Sequence, residues 1–235
     1  MSTFNFPYTS KMPEVPTSIF AIMSAMATAH DAINLSQGYP DFESDPVLIN
    51  LVNKAMQSGK NQYAPMPGIF SLRKAITDKI YLLYGIERNP DTEITITAGA
   101  TQAIFTALAA TIKRGDEVII LKPAYDCYEP TIQLFGAVPI SIQLDPANYK
   151  IDWDVLEEKI GPKTKMIIIN TPHNPSGNIL QKEDMLKLET LLKDTNILLL
   201  SDEVYEHIIF DREKHQSAMC FPGLAERAFV TASFG

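Results

Sequence analysis

From residue 93 onward, short apolar runs alternate with amphipathic segments. The runs fall at 93–98, 117–121, 138–144, 166–170, 196–201 and 228–232. Met166 to Ile169 and Ile197 to Leu200 are apolar at every position, which predicts strands buried on both faces of a parallel sheet covered by helices. Helical periodicity lies between them. Residues 101–113 place Ile104, Phe105, Leu108 and Ile112 on one face, with Gly115 where a glycine would end the helix. Residues 184–193 repeat the pattern with Met185, Leu188, Leu191 and Leu192. Upstream, a helix is predicted near 18–30, a second from the cap-and-proline pair Asp45-Pro46, and a third over 68–84. The predicted fold class is α/β, a mostly parallel sheet sandwiched by helices, with an irregular N-terminal arm (1–45) before a large domain (46–235).

Composition narrows the setting without naming a chemistry. The chain has 235 residues, 46% hydrophobic and 20% charged, ample for a core. Its net charge of −8 is spread along the chain, so no basic patch suggests a nucleic acid or a membrane surface. No apolar run approaches the ~20 residues that span a bilayer. Residues 1–16 carry three prolines and no basic-then-apolar signal pattern, so export is not expected. Cys127 and Cys220 fit reduced thiols in a cytoplasmic protein. His30, His173, His207 and His215 lack metal-ligand spacing and read as surface or loop residues, so no metal is expected. Trp153, Met23 and Met26 read as packing residues.

In an open parallel sheet, ligands bind beyond the carboxyl ends of the strands. After 93–98 come Gly99, Ala100 and Thr101, opening a helix whose N-terminus favours an anion; taken alone, a tight strand-to-helix turn explains them as well. After 117–121 comes Tyr125, an aromatic plate for a planar ligand or a half-buried side chain. After 166–170 comes a stiff loop, Asn170-Thr171-Pro172-His173-Asn174-Pro175-Ser176-Gly177, presenting two amides beside a strand end. Asp202 follows four apolar residues, a poorly hydrated place where a carboxylate needs a cationic partner unless it caps a helix. Tyr205 lies close by, and Ser233 follows the last run. The dinucleotide fingerprint is absent, and Ser58-Gly59-Lys60 lacks the upstream glycine of a P-loop. Together the strand ends supply what a phosphorylated, planar, heteroaromatic cation would use.

These stretches carry a resemblance. Asn34 to Phe42, Asn61 to Pro65, Thr97 to Thr101, Asn170 to Gly177 and Ser201 to Glu206 match, in order, motifs of the class I/II aminotransferases of the fold-type I pyridoxal-phosphate family. The branch of methionine and kynurenine aminotransferases is the most similar. The resemblance implies pyridoxal 5'-phosphate as cofactor, Asp202 on its pyridine nitrogen, and Asn174 and Tyr205 on its phenolic oxygen. It implies Tyr125 stacked on the ring, with Gly99, Ala100, Thr101 and Ser233 around the phosphate. Gly38 and Asn170 would meet the substrate, and Tyr63 would reach the cofactor of a second subunit in a homodimer. The arm before Asp45 would belong to a small α+β domain. The Schiff-base lysine is expected immediately after Gly235 and the carboxylate-binding arginine further on, so the sequence reads as cut short at a lysine that carries the cofactor.

The implied reaction moves an amino group from an α-amino acid, methionine or aromatic and kynurenine-like, to a 2-oxo acid. A carbon–sulfur β-lyase of the same fold would use the same residues. A non-catalytic cofactor-binding fragment without the lysine is the alternative of another class, and a nicotinamide oxidoreductase is more distant.

Overall fold

The computed structural model describes residues 9–38, 40 and 42–234; Tyr39, Asp41 and Gly235 of the motifs above lie outside them. The first helix is α1 (Ile19–Ala29), whose first turn is closed by Ser18 accepting from the Ala21 N–H. The helix predicted at Asp45-Pro46 is α2 (Pro46–Gln57), with the Asp45 carboxylate accepting from the Val47 N–H and proline in the first turn. A cap of this kind contributes about 1 kcal/mol. Next come α3 (Phe70–Tyr84) and α4 (Ala100–Thr111). Then α/β alternation begins: β1 (Glu117–Lys122), α5 (Tyr128–Leu134), β2 (Val138–Gln143), α6 (Trp153–Lys159) and β3 (Thr164–Asn170). It ends with α7 (Lys182–Leu192), β4 (Leu198–Asp202), a 3-10 turn (Ala218–Cys220), α8 (Pro222–Ala225) and β5 (Ala228–Thr231).

The five strands form one parallel sheet in the order β2-β1-β3-β4-β5. Alternate residues feed two cores, which is why the strands read as unbroken apolar runs. Ile119, Ile167, Ile169 and Leu199 pack toward Leu156 of α6 and Met185, Leu188 and Leu192 of α7. Val118, Ile120, Met166, Ile168 and Leu200 pack toward Ile104 and Leu108 of α4 and Ile132 of α5. Each such fully buried side chain contributes roughly 1.5–3 kcal/mol. The chain leaves β1 toward one edge to make β2, then returns to the other side of β1 for β3, β4 and β5. The loops after β1 and β3 therefore diverge, leaving a crevice at that point.

Three expectations are corrected. Residues 93–98 do not form a ladder strand: Ile96 N–H donates to the Pro67 carbonyl, and no sheet partner lies beside the segment among the described residues. An apolar run is only half of a strand; the other half is a neighbour with free N–H and C=O groups. Phe105, placed on the buried face of α4, is exposed, because the face toward the sheet is already filled by Ile104, Ala107 and Leu108. Gly115 does not end α4, which stops at Thr111; its N–H pairs instead with the Gly136 carbonyl at a φ of 86°.

Candidate functional site at the strand ends

A cavity of about 220 Å³ opens at the carboxyl ends of the strands, across the crevice between the β1 and β3 loops. Asp202, the last residue of β4, lines it and is 3% exposed. Its Oδ2 accepts from the Tyr128 hydroxyl at 2.5 Å, and its Oδ1 from Val204 N–H at 3.3 Å and Thr231 Oγ1 at 3.4 Å. Burial pushes the carboxyl up from its ordinary value, opposed by those three donors. No cationic side chain pairs with it among the described residues. A buried carboxylate held by neutral donors alone has room and need for a cation.

Opposite stands the start of α4, a twelve-residue helix with no side-chain cap. Gly99 turns the chain there at φ 86°, and a Cβ added to it would meet nothing within 4 Å. Ala100 and Thr101 line the cavity, so the unpaired N–H groups and positive helix end face its rim. Ser233, half-buried, lines it from the segment after β5.

Tyr125 and Asn174 line the cavity from the β1 and β3 loops. The Tyr125 ring meets Tyr128 edge-on, with centroids 5.9 Å apart at 77°. Asn174 Nδ2 lies 3.5 Å from the Tyr205 hydroxyl, so an amide and a phenol converge at one place. Asn170 is partly committed to the scaffold: its Oδ1 accepts from Asn174 N–H at 2.7 Å and its Nδ2 donates to the Asp202 carbonyl at 2.9 Å. One N–H remains for a ligand.

Of the anticipated residues, the structure thus brings Ala100, Thr101, Tyr125, Asn170, Asn174, Asp202, Tyr205 and Ser233 around one cavity, with Gly99 at its rim. Gly38 and Tyr63 do not line it, and Tyr63 is fully exposed. The lysine anticipated after Gly235 lies outside the described residues. Sequence reasoning missed Tyr128 and Thr231, whose link to Asp202 is purely tertiary. It also gave no sign that the side chains of two of the loop histidines are buried. His173 is buried, and the His215 side chain, 5% exposed, reaches the buried Glu203 carboxylate at 2.7 Å.

The donor set fits pyridoxal phosphate: an uncapped helix start for the phosphate, an amide and a phenol for a phenolate oxygen, and a cation-seeking carboxylate for a protonated ring nitrogen. Fold and site together describe an α/β domain with its cavity at the switch point of a parallel sheet. Residues 30–235 match the family model "Aminotransferase class I and II", and the chain belongs to that family. It is 43% identical to methionine aminotransferase of Escherichia coli over 96% of this chain and 58% of that protein. It is 33% identical to mouse kynurenine–oxoglutarate transaminase 1 over 89% of this chain and 53% of that one. The crystal structure of YbdL from E. coli, for which a methionine aminotransferase function was identified, superposes with a TM-score of 0.94 at 42% identity, over 98% of this chain and 60% of that one. The chain thus spans somewhat more than half the length of the proteins it resembles. No helix among the described residues is long and apolar enough to cross a membrane.

Proposed function

We propose that this protein is a pyridoxal 5'-phosphate-dependent aminotransferase that moves the amino group of an α-amino acid to a 2-oxo acid. The carrying observation is Asp202, a buried carboxylate with three neutral donors and no cationic partner among the described residues, lining the same cavity as an uncapped helix start. The cofactor, when bound, supplies an electron sink for the charge that develops at the substrate's α-carbon. Asp202 would hold the proton on the ring nitrogen, and a buried charge-assisted hydrogen bond of this kind contributes about 1.5–3 kcal/mol. Tyr128 and Thr231 donate to that carboxylate, opposing the effect of burial and aiming it. Asn174 and Tyr205 would donate to the phenolic oxygen, Tyr125 would cover the ring, and Gly99, Ala100, Thr101 and Ser233 would hold the phosphate.

The finer assignments extend the same reading. Methionine or an aromatic, kynurenine-like amino acid is the proposed donor, supported by the relatives with those activities. Residues 1–45 are read as the arm of a small domain and 46–235 as the cofactor-binding domain of a cytoplasmic homodimer. In that homodimer Gly38 and Asn170 would meet substrate and Tyr63 the cofactor of the second subunit. The exposed apolar positions of α2, among them Val47, Leu48, Leu51 and Val52, support an interface there. The test is to incubate the purified whole protein with methionine and a 2-oxo acid and follow the products. Conversion of methionine to its 2-oxo acid, with an absorption band near the visible edge that borohydride removes, supports the reading. With a cysteine S-conjugate, whose sulfur sits on the β-carbon, release of pyruvate, ammonia and a thiol with no amino group passed to the 2-oxo acid would replace it with a β-lyase.

A further inference from the structure

His173 has no role in the site as described, yet it is only 8% exposed and lies one residue before Asn174. Its Nε2 is 2.9 Å from the Pro123 carbonyl oxygen. A carbonyl only accepts, so Nε2 carries the hydrogen. Its Nδ1 is 2.7 Å from Ser176 Oγ. With Nε2 protonated, Nδ1 of the neutral ring is an acceptor, and the Ser176 hydroxyl donates to it. Ser176 Oγ in turn accepts from the Asn178 N–H at 3.2 Å. The backbone closes the same loop: His173 N–H donates to the Asn178 carbonyl at 2.8 Å, and Gly177 N–H to the His173 carbonyl at 2.7 Å.

The loop after β3 is therefore tied to itself through Ser176, Gly177 and Asn178, and the imidazole carries it across to the loop after β1. The anchor on the far side, Pro123, stands two residues before Tyr125. Every link in this chain is satisfied by a neutral ring, and burial pushes the imidazole's basicity down, opposed by the Pro123 hydrogen bond. Resting on the cofactor reading above, we propose that His173 is a positioning residue. Its neutral Nε2–H strut sets the separation between the Tyr125 plate and the Asn174 amide, which would clasp the cofactor ring from two different loops.

A ring held between two loops at the switch point of the sheet is sensitive to that separation. The β1–β3 ladder runs only as far as Ile120 and Ile168, and beyond it the two loops diverge, so the sheet does not by itself fix the gap between them. Glutamine can place an N–H near the imidazole Nε2 position; leucine fills similar space without a donor. The two variants therefore separate the strut from mere packing.

The experiment uses the whole protein, stripped of cofactor, with pyridoxal 5'-phosphate as the probe. Affinity is read by fluorescence titration, the seating of the ring by its induced circular dichroism, and folding by thermal unfolding without cofactor. His173→Leu is expected to weaken binding about tenfold or more, equivalent to ~1.4 kcal/mol, and to diminish the dichroic band. His173→Gln is expected to recover most of both. Leucine binding within twofold of wild type with an unchanged band would overturn the proposal and leave the cofactor reading standing. Glutamine and leucine falling equally, in step with their melting temperatures, would reduce His173 to a packing residue. A wild-type protein that does not take up the cofactor would overturn both readings.

Discussion

The Tyr128 hydroxyl, in the first turn of α5, donates to Oδ2 of Asp202 at 2.5 Å, joining two residues 74 positions apart beneath the cavity. Burial and the neighbouring Asp202 charge both push the Tyr128 phenol up, so it stays a donor at any physiological pH. Its counterpart gains, because a donor at that distance favours the carboxylate over the carboxylic acid. Replacing Tyr128 with Phe leaves Asp202 with two longer donors, and burial then raises its pKa further. Pyridoxal-phosphate affinity is expected to fall roughly tenfold, since hydrogen bonds to charged groups contribute about 1.5–3 kcal/mol. The acid limb of binding should also move to higher pH. Titrations at several pH values check both, and an unmoved limb would show that Tyr128 does not govern Asp202.

Asp202 itself carries a prediction with an unusual sign. Its folded pKa lies above the ordinary carboxylate value of 3.8, first through burial. Between those two pH values the folded protein binds more protons than the unfolded chain, so stability falls as pH rises through that window. Burial and the Glu203 charge work against the carboxylate in the cofactor-free protein, and its three hydrogen bonds offset them only in part. Asp202→Asn should leave the cofactor-free protein as stable as wild type or more so, by on the order of 1 kcal/mol. Adding pyridoxal phosphate should reverse the order, because only the carboxylate gains a cationic partner. Urea midpoints with and without cofactor decide the matter, and an Asn variant less stable in the cofactor-free state would refute the account.

The legibility of the molecule follows from what each feature depends on. The β3 and β4 runs were readable because both faces of a parallel strand are buried, leaving no polar alternation to confuse the pattern. The site was readable for a related reason: apart from Gly99, Ala100 and Thr101, its residues lie at or just after strand ends, and position along the chain already places them on one edge of the sheet. Residues 93–98 alternate isoleucine with threonine, also a strand-like pattern, but a ladder needs a partner, and partners are not local. Helix α5 was invisible because it is seven residues long and contains Pro130, tolerated there only because it sits in the first turn. Tyr128, Thr231, His173 and His215 share a different obscurity. Each is a polar-capable side chain whose neighbours in sequence do not reveal its role, because its burial is set by a partner 12 to 74 residues away.

The turn before α3 gives a backbone test. Gly68 has a φ of +95°, and a Cβ there would lie 2.3 Å from Ile96 Cγ1. Ile96 cannot retreat easily, because its N–H is tied to the Pro67 carbonyl at 3.0 Å. Gly68→Ala thus meets both a rarely adopted conformation and a clash, and should cost roughly 2–4 kcal/mol. Thermal unfolding measures it. Gly85→Ala is the control: it shares a left-handed φ of 70° but would meet nothing within 4 Å, and should cost about 1 kcal/mol. Equal losses at the two sites would mean that the Ile96 contact is not made.

Glu206, next to Tyr205, fastens the far side of the site to α3. Lys79 Nζ pairs with its Oε1, and the Tyr84 hydroxyl donates to its Oε2 at 2.7 Å. Burial alone would raise this carboxyl, but the hydrogen bonds from Lys79 and Tyr84 and the Lys79 charge outweigh it and hold the group below the usual carboxylate value. A carboxyl with a depressed folded pKa contributes stability that is present above its unfolded value, about 4.3, and disappears as pH falls through the folded one. Glu206→Gln should therefore destabilise the protein by about 1–2 kcal/mol at pH 7, a figure reduced because Lys79 is a third exposed. The gap between wild type and variant should narrow below pH ~4, where the wild-type group takes up its proton. Urea midpoints from pH 7 down to the acid limit of folding test this. A gap that persists undiminished there would assign the stability to side-chain packing rather than to the charge. Within the native range the variant should also loosen the turn that presents Tyr205, because that phenol lies one residue from the lost anchor. Weaker pyridoxal-phosphate binding at pH 7, alongside the stability loss, is the accompanying expectation, and unchanged binding would separate the anchor from the site.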